Sequence, residues 1–187
     1  MSRQLSTQDW KFFKGDCADG YYNELDDAGW RNIDLPHDFS IEGPFSEQYA
    51  SGTGYLPGGV GWYRKTFTLP PDAAEQDVYI RFDGVYQNSE VWCNEHSLGK
   101  RPYGYSSFTY RLTPYLHTDG RPNVLAVRVD HTKFADSRWY TGSGIYRNVW
   151  LRITAPQHVK QDGIFITTPR ITDQDAQIDI RTTLENT

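Results

Sequence analysis

The sequence predicts an all-β chain, a sandwich or jelly roll in which two antiparallel sheets share one core. Apolar residues alternate with a period of two in short segments, and no amphipathic stretch of period 3.6 reaches helix length. Aromatic residues make up 15% of the 187 residues, with 6 Trp, 13 Tyr and 9 Phe beside a single Met, a composition that suits pleated surfaces better than helices. Turn-forming residues separate the segments at intervals fitted to short strands, and about 150 residues can bury such a core without disulfides.

Each element follows from this pattern. In segment 61–69, Tyr63, Phe67 and Leu69 share one face while Arg64, Thr66 and Thr68 take the other, and Pro70, Pro71 and Asp72 stop the strand. Segment 77–83 buries Val78, Ile80 and Phe82; a strand around Val91, Trp92, Cys93 and Asn94 comes next. Phe108, Tyr110 and Leu112 alternate in the following run. Segment 113–116 reads as a turn, one helical turn with Thr113 as its cap, and a loop at 119–123 leads into segment 124–129. Nearly every position of that segment is apolar, which predicts a central strand covered on both faces. Val149, Leu151 and Ile153 give a half-buried strand closed by Ala155 and Pro156.

The tail has a different character. Segments 163–169 and 176–184 read as two more strands, and two strands alone make no stable domain. The expected organisation is a first domain at 1–156 and the beginning of a second β-domain at 157–187, in a chain that is a fragment of something longer. Unpaired edges and apolar faces there predict disorder, packing on the first domain, or pairing with a second copy.

Composition excludes several functions. With 19 Lys and Arg against 24 Asp and Glu, the formal net charge is −5, against a nucleic-acid partner. A mean hydropathy of −0.69 without a long apolar run argues against a membrane span, and residues 1–7 lack the apolar core of a signal peptide. The expectation is a soluble chain, cytoplasmic or periplasmic/secreted. Cys17 and Cys93 lie far apart without a C-x-x-C companion, so neither a disulfide framework nor a zinc ribbon is supported.

Four features could carry chemistry. The Gly-rich stretch 51–61 opens a strand and lacks the Lys followed by Ser or Thr of a phosphate loop, so it reads as tightly turning backbone beside a surface. Segment 135–147 places Asp136, Arg138, Trp139 and Tyr140 in a loop with two glycines. Aromatic faces stack on the C–H faces of a sugar while Asp and Arg bond its hydroxyls, so these four residues have the composition of a carbohydrate contact. The competing reading has Arg138 and Arg147 tying the loop to backbone carbonyls and Trp139 in the core; chemistry alone leaves both open. His37 and Asp38 read as a structural pair, because no Ser stands in a nucleophile-elbow context. Glu90 and Glu95, five apart on a strand, face opposite sides of a sheet and read as solvated surface acids rather than a catalytic pair. None of the five histidines has metal-ligand spacing with a second His or Cys.

Taken in order, Leu-Pro-His-Asp at 35–38, Gly-Trp-Tyr-Arg-Lys at 61–65 and Phe-Asp-Gly-Val-Tyr-Gln-Asn-Ser-Glu-Val-Trp-Cys-Asn at 82–94 form a recognisable series. Leu-Gly at 98–99, Tyr-Gly-Tyr-Ser-Ser-Phe at 103–108, Asn-Val-Leu-Ala-Val-Arg-Val at 123–129 and Ser-Gly-Ile-Tyr-Arg-Asn-Val-Trp-Leu at 143–151 continue it. Over most of residues 10–155 the chain resembles the N-terminal sugar-binding domain of glycoside hydrolase family 2, most like its β-galactosidases. The resemblance implies a jelly-roll β-sandwich, similar to a galactose-binding domain, followed by the truncated start of an immunoglobulin-like sandwich. It also implies a C-terminal (β/α)₈ barrel holding both catalytic glutamates, so no catalytic residue lies in this chain, which alone should be silent.

By the same resemblance, a loop just before the Ser-Gly-Ile-Tyr-Arg strand reaches the barrel mouth with an Asp that contacts the sugar and in some galactosidases ligates sodium. Asp136 is the nearest acid, seven residues before Ser143, and Arg138 falls nearer the expected position. A sugar-binding Asn of some β-galactosidases is replaced here by Gly58. The implied function is the non-catalytic domain of a retaining exo-β-glycosidase acting on terminal β-galactosides. The alternatives are the same domain of a β-glucuronidase or β-mannosidase, a stand-alone carbohydrate-binding module, and a purely structural sandwich. The partners are a carbohydrate, the chain's own catalytic barrel and, in an oligomer, further copies. The chain itself calls for no cofactor, and the resemblance leaves room for a sodium or magnesium ion in the parent enzyme.

Overall fold

The computed structural model describes residues 2–133 and 139–187. Three strands not singled out in the sequence come first: β1 (Ser2–Leu5), β2 (Trp10–Lys14) and β3 (Arg31–Ile33). There follow β4 (Gly59–Phe67), β5 (Asp77–Phe82), β6 (Ser89–Cys93), β7 (His96–Arg101), β8 (Phe108–Arg111), β9 (Asn123–His131) and β10 (Val149–Thr154). These form two antiparallel sheets, one ordered β1-β10-β5-β8 and the other β3-β2-β4-β9-β6-β7. The chain is thus the all-β sandwich that its period-two alternation predicts.

The core lies between the sheets. Phe12, Tyr63, Val91, Leu125 and Val127 of the six-stranded sheet meet Val78, Ile80, Phe82, Phe108 and Val149 of the four-stranded one. Strand β9 sits between β4 and β6 and is buried along nearly its whole length, as its apolar run predicts. The outer face of the six-stranded sheet is also covered. Segment 16–30 lies over it as a flap, with Gly20 so close to Trp62 that a Cβ there would stand 2.5 Å from the indole. Arg64, placed on the polar face by alternation, is therefore only 2% exposed. It donates to Asp27 Oδ2 at 2.8 Å and to the carbonyls of Gly20 and Tyr22 at 2.8 and 2.9 Å. Asp16 accepts from Trp62 and pairs with Arg128, while Trp62, Trp92 and Tyr21 stack in a row at 5.3 and 5.5 Å.

Two local expectations are corrected. Glu95 is not on a strand: Asn94 and Glu95 form the two-residue β6–β7 turn, both at positive φ as a type I′ hairpin requires. Glu95 accepts from the Asn23 N–H, and Glu90 pairs with Lys100 at 3.0 Å. Thr113 opens a 3₁₀ turn (Thr113–Tyr115) without capping it; its hydroxyl donates instead to Asp77, and accepts from the Val78 N–H, at the start of β5. The competing demand of a buried strand end wins over the local cap.

In the tail, β11 (Gln157–Ile171) and β12 (Ala176–Asn186) pair with each other as one long hairpin. Its base packs on the sandwich. The His158 ring stands edge-on to Tyr79, Arg152 donates to Gln161 at 2.7 Å, and Arg81 pairs with Asp162. Farther out, Ile164, Phe165, Ile166, Ile178 and Ile180 are all exposed.

Candidate functional site

Several loops gather at one end of the sandwich. The turn after β3 carries His37 and Asp38, and the loop before β10 runs antiparallel to it, with backbone bonds from His37 N to Ile145 O and from Phe39 N to Ser143 O, both 2.9 Å. Asp38 clasps the two together. Its Oδ1 accepts the N–H groups of Ser40 at 2.9 Å and Ser143 at 2.8 Å, while its Oδ2 accepts the Tyr140 hydroxyl. Burial first, and the Asp38 carboxylate second, push the Tyr140 phenol well above its ordinary range, so it remains a donor at any working pH. Glycines 142 and 144 make the clasp possible. Both have positive φ, and a Cβ on Gly144 would lie 2.3 Å from the Tyr63 hydroxyl and 2.6 Å from the His37 carbonyl.

Below the clasp runs a line of hydroxyls. Ser40 Oγ and Ser143 Oγ are 2.6 Å apart, and Ser143 Oγ lies 2.6 Å from Nδ1 of His131 at the end of β9. His131 is 2% exposed, and burial lowers its pKa against the opposing pull of the Gly142 backbone, Asp38 and Asp130, which keeps the ring neutral. Its Nε2 is buried without a hydrogen-bond partner among the described residues. The same residue lines a pocket of about 310 Å³ with Tyr49, Thr53, Leu56, Pro57 and Gly58, built by the Gly-rich stretch. That stretch makes a 3₁₀ turn ending at Gly54 in the left-handed region, and Gly58 passes so near the chain that a Cβ would stand 2.2 Å from the His131 carbonyl. It is tightly turning backbone beside a surface, as read from its sequence.

Of the four sequence-predicted site residues, Asp136 and Arg138 lie outside the described residues. Trp139 and Tyr140 are brought to this end of the sandwich. Trp139 is 61% exposed, contrary to the reading of it as core, and donates to the Tyr105 hydroxyl at 2.9 Å. Tyr140 lies beside Gly54 and bonds Asp38. Arg147 stacks its guanidinium over Tyr146 at 5.4 Å. The structural reading of the His37–Asp38 pair agrees with the geometry: His37 bonds Tyr63 at 2.9 Å and Glu42 at 3.0 Å. Sequence reasoning missed His131 and Ser143. Their only signal was a His closing an apolar strand, and a Ser between two glycines.

Among the described residues, no group of three His, Cys, Asp or Glu is placed to hold a metal ion.

Residues 26–156 match the family described as glycosyl hydrolases family 2, sugar binding domain. Among curated proteins, the chain is 54% identical over 180 residues to beta-galactosidase BoGH2A of Bacteroides ovatus, which covers 95% of this chain and 21% of that protein. It is 44% identical to a putative beta-glucuronidase of Formosa agariphila, over 91% of this chain and 16% of the other. Among solved structures, a beta-glycosidase from Bacteroides vulgatus superposes with a TM-score of 0.94 at 43% identity, over all of this chain and 24% of that one. A Bacteroides uniformis beta-glucuronidase gives 0.87 at 32%, over 99% and 22%. The chain therefore spans about a fifth of the length of the relatives it matches.

Proposed function

Since this chain belongs to glycosyl hydrolase family 2, whose sugar-binding domain it carries, we propose that it is the N-terminal, non-catalytic domain of a retaining exo-β-glycosidase that cleaves terminal β-galactosides. Residues 1–156 form the sugar-binding domain, and the hairpin from residue 157 begins an immunoglobulin-like domain. The observation that carries the galactoside reading is the 54% identity to a beta-galactosidase across nearly the whole chain. Hydrolysis proceeds through a covalent glycosyl-enzyme in a barrel outside this chain.

The domain's part is to wall the pocket of the non-reducing sugar. Asp136, Arg138, Trp139 and Tyr140 supply contacts, and the Asp38 clasp fixes where their loop ends. His131, whose Nδ1 meets the Ser143 hydroxyl, lines the adjoining pocket. A wall that gives a few contacts to a composite pocket binds almost nothing alone, because it must offset the entropy of association.

The second reading is a β-glucuronidase. It is favoured by the 44% identity to a putative beta-glucuronidase and by Arg138, whose guanidinium would pair with a uronate carboxylate.

The test is hydrolysis of nitrophenyl β-galactoside, β-glucuronide and β-mannoside by this chain and by the longer protein containing it. Cleavage of the galactoside by the longer protein only is the expected result; preference for the glucuronide installs the second reading. Activity of the 187-residue chain itself overturns both. In the longer protein Asp136→Ala should lower galactoside kcat/KM by about 2 kcal/mol or more, and no change removes the site assignment.

A further inference from the structure

A second recess opens beside the first, at the same end of the sandwich. It has a volume of about 390 Å³ and lies between the turn at 86–88 and the loop at 102–105, with Lys133 bordering both recesses. Tyr103 and Tyr105 stand on its rim, 65% and 39% exposed, their rings edge to face at 5.6 Å. Tyr86, almost fully buried, forms its floor, edge-on to Tyr105 at 5.3 Å and to His131 at 5.0 Å. Gln87 and Lys133 supply an amide and an ammonium, while the Asn88 amide is held by its bond to the Asp130 carbonyl at 3.1 Å. Trp139 reaches the rim through its bond to Tyr105.

The recess is held open by its own framework. Gly104 leaves room for Tyr86, since a Cβ there would stand 2.2 Å from that ring. Tyr146 donates its hydroxyl to the Gly104 carbonyl at 2.8 Å, and Asn88 N–H bonds the Pro102 carbonyl at 3.2 Å. On the other side, Tyr86 and Gly144 exchange two backbone bonds of 2.9 Å. Rings fixed before binding lose little entropy when a ligand arrives.

From this arrangement we infer that the Tyr103–Tyr105 recess is a second sugar subsite, which takes a pyranose on the leaving-group side of the bond to be cleaved. The inference rests on the proposed glycosidase function. Exposed tyrosine faces match the C–H face of a pyranose. An aromatic leaving group would stack as well but would desolvate Gln87 and Lys133 without returning hydrogen bonds, whereas sugar hydroxyls replace them. Continuity through Lys133 with the His131 pocket sets the two subsites side by side.

The test uses the longer protein and, for the sugar whose nitrophenyl glycoside it cleaves, a β-linked disaccharide and the glycosyl fluoride, which has no leaving-group sugar. For galactose these are lactose and β-galactosyl fluoride. The ratio of kcat/KM for disaccharide over fluoride should fall about ten-fold in Tyr103→Ala and recover in Tyr103→Phe, which keeps the ring. Gln87→Ala should lower the same ratio. A ratio unmoved by both alanine variants overturns the subsite, and so does a larger loss on the nitrophenyl glycoside than on the disaccharide. If the unsubstituted protein cleaves none of the three substrates, the underlying glycosidase reading falls and takes the subsite with it.

Discussion

The flap on the six-stranded sheet and the clasp at its loop end are both irregular segments pinned by carboxylates, yet they differ in what they leave unsatisfied. Under the flap, Arg64 has its guanidinium engaged by Asp27 and two carbonyls, and Asp16 is engaged by Trp62 and Arg128. In the clasp, Asp38 is equally occupied, and the chain of hydroxyls beneath it ends on His131 Nδ1, while the ring's other nitrogen, Nε2, has no partner among the described residues. The flap builds a second small core and leaves one buried atom open, Asn23 Oδ1, which has no partner among the described residues. The clasp's unpaired atom belongs to a residue that also lines a pocket.

The comparison can be broken at four points. Gly144→Ala should do the most damage, about 4 kcal/mol by urea denaturation, because positive φ and clashes with Tyr63 and His37 add together. Arg64→Ala should cost about 3 kcal/mol by the same measurement, since it strands Asp27 and two carbonyls under the flap. Asp38→Ala should cost about 2 kcal/mol and, unlike Arg64→Ala, should raise hydrogen exchange selectively at Ser40 and Ser143. Equal exchange profiles in the two variants would erase the distinction between flap and clasp.

The smallest effect is a pH slope. The pKa of His131 is lowered by burial, so the unfolded chain takes up its proton first as pH falls. Its stability contribution is present above the ordinary histidine pKa of about 6.5 and is lost as pH falls from there through the lower folded value. Between pH 7 and 5 the protein should lose stability that His131→Gln does not lose. A variant with the same slope would place the titration elsewhere.

Much of the fold was legible because alternation reports burial directly. The inward sets Val78, Ile80 and Phe82, and the doubly covered β9, were both readable. Strands β1 and β3 were not, being edge strands of four and three residues. The burial of Arg64 was hidden too, since its cause is a flap without periodicity. At the site, Trp139 and Tyr140 announced themselves by composition. Asp38 was read only as half of a structural pair with His37, because its bond to a residue 105 positions away is invisible locally, and His131 was not read at all, because a His at a strand end carries no pattern. Glu95 was misplaced because positive φ at Asn94 and Glu95 turns the chain where alternation alone extends it.

The two backbone bonds between Tyr86 and Gly144 join the floor of the Tyr103–Tyr105 recess to the loop that Asp38 clasps. Changes at 86–88 and at 142–145 should therefore not combine independently: their joint effect should differ from the sum of their separate effects. Substitutions on the two sides of that bridge would be tolerated in some orders and not in others.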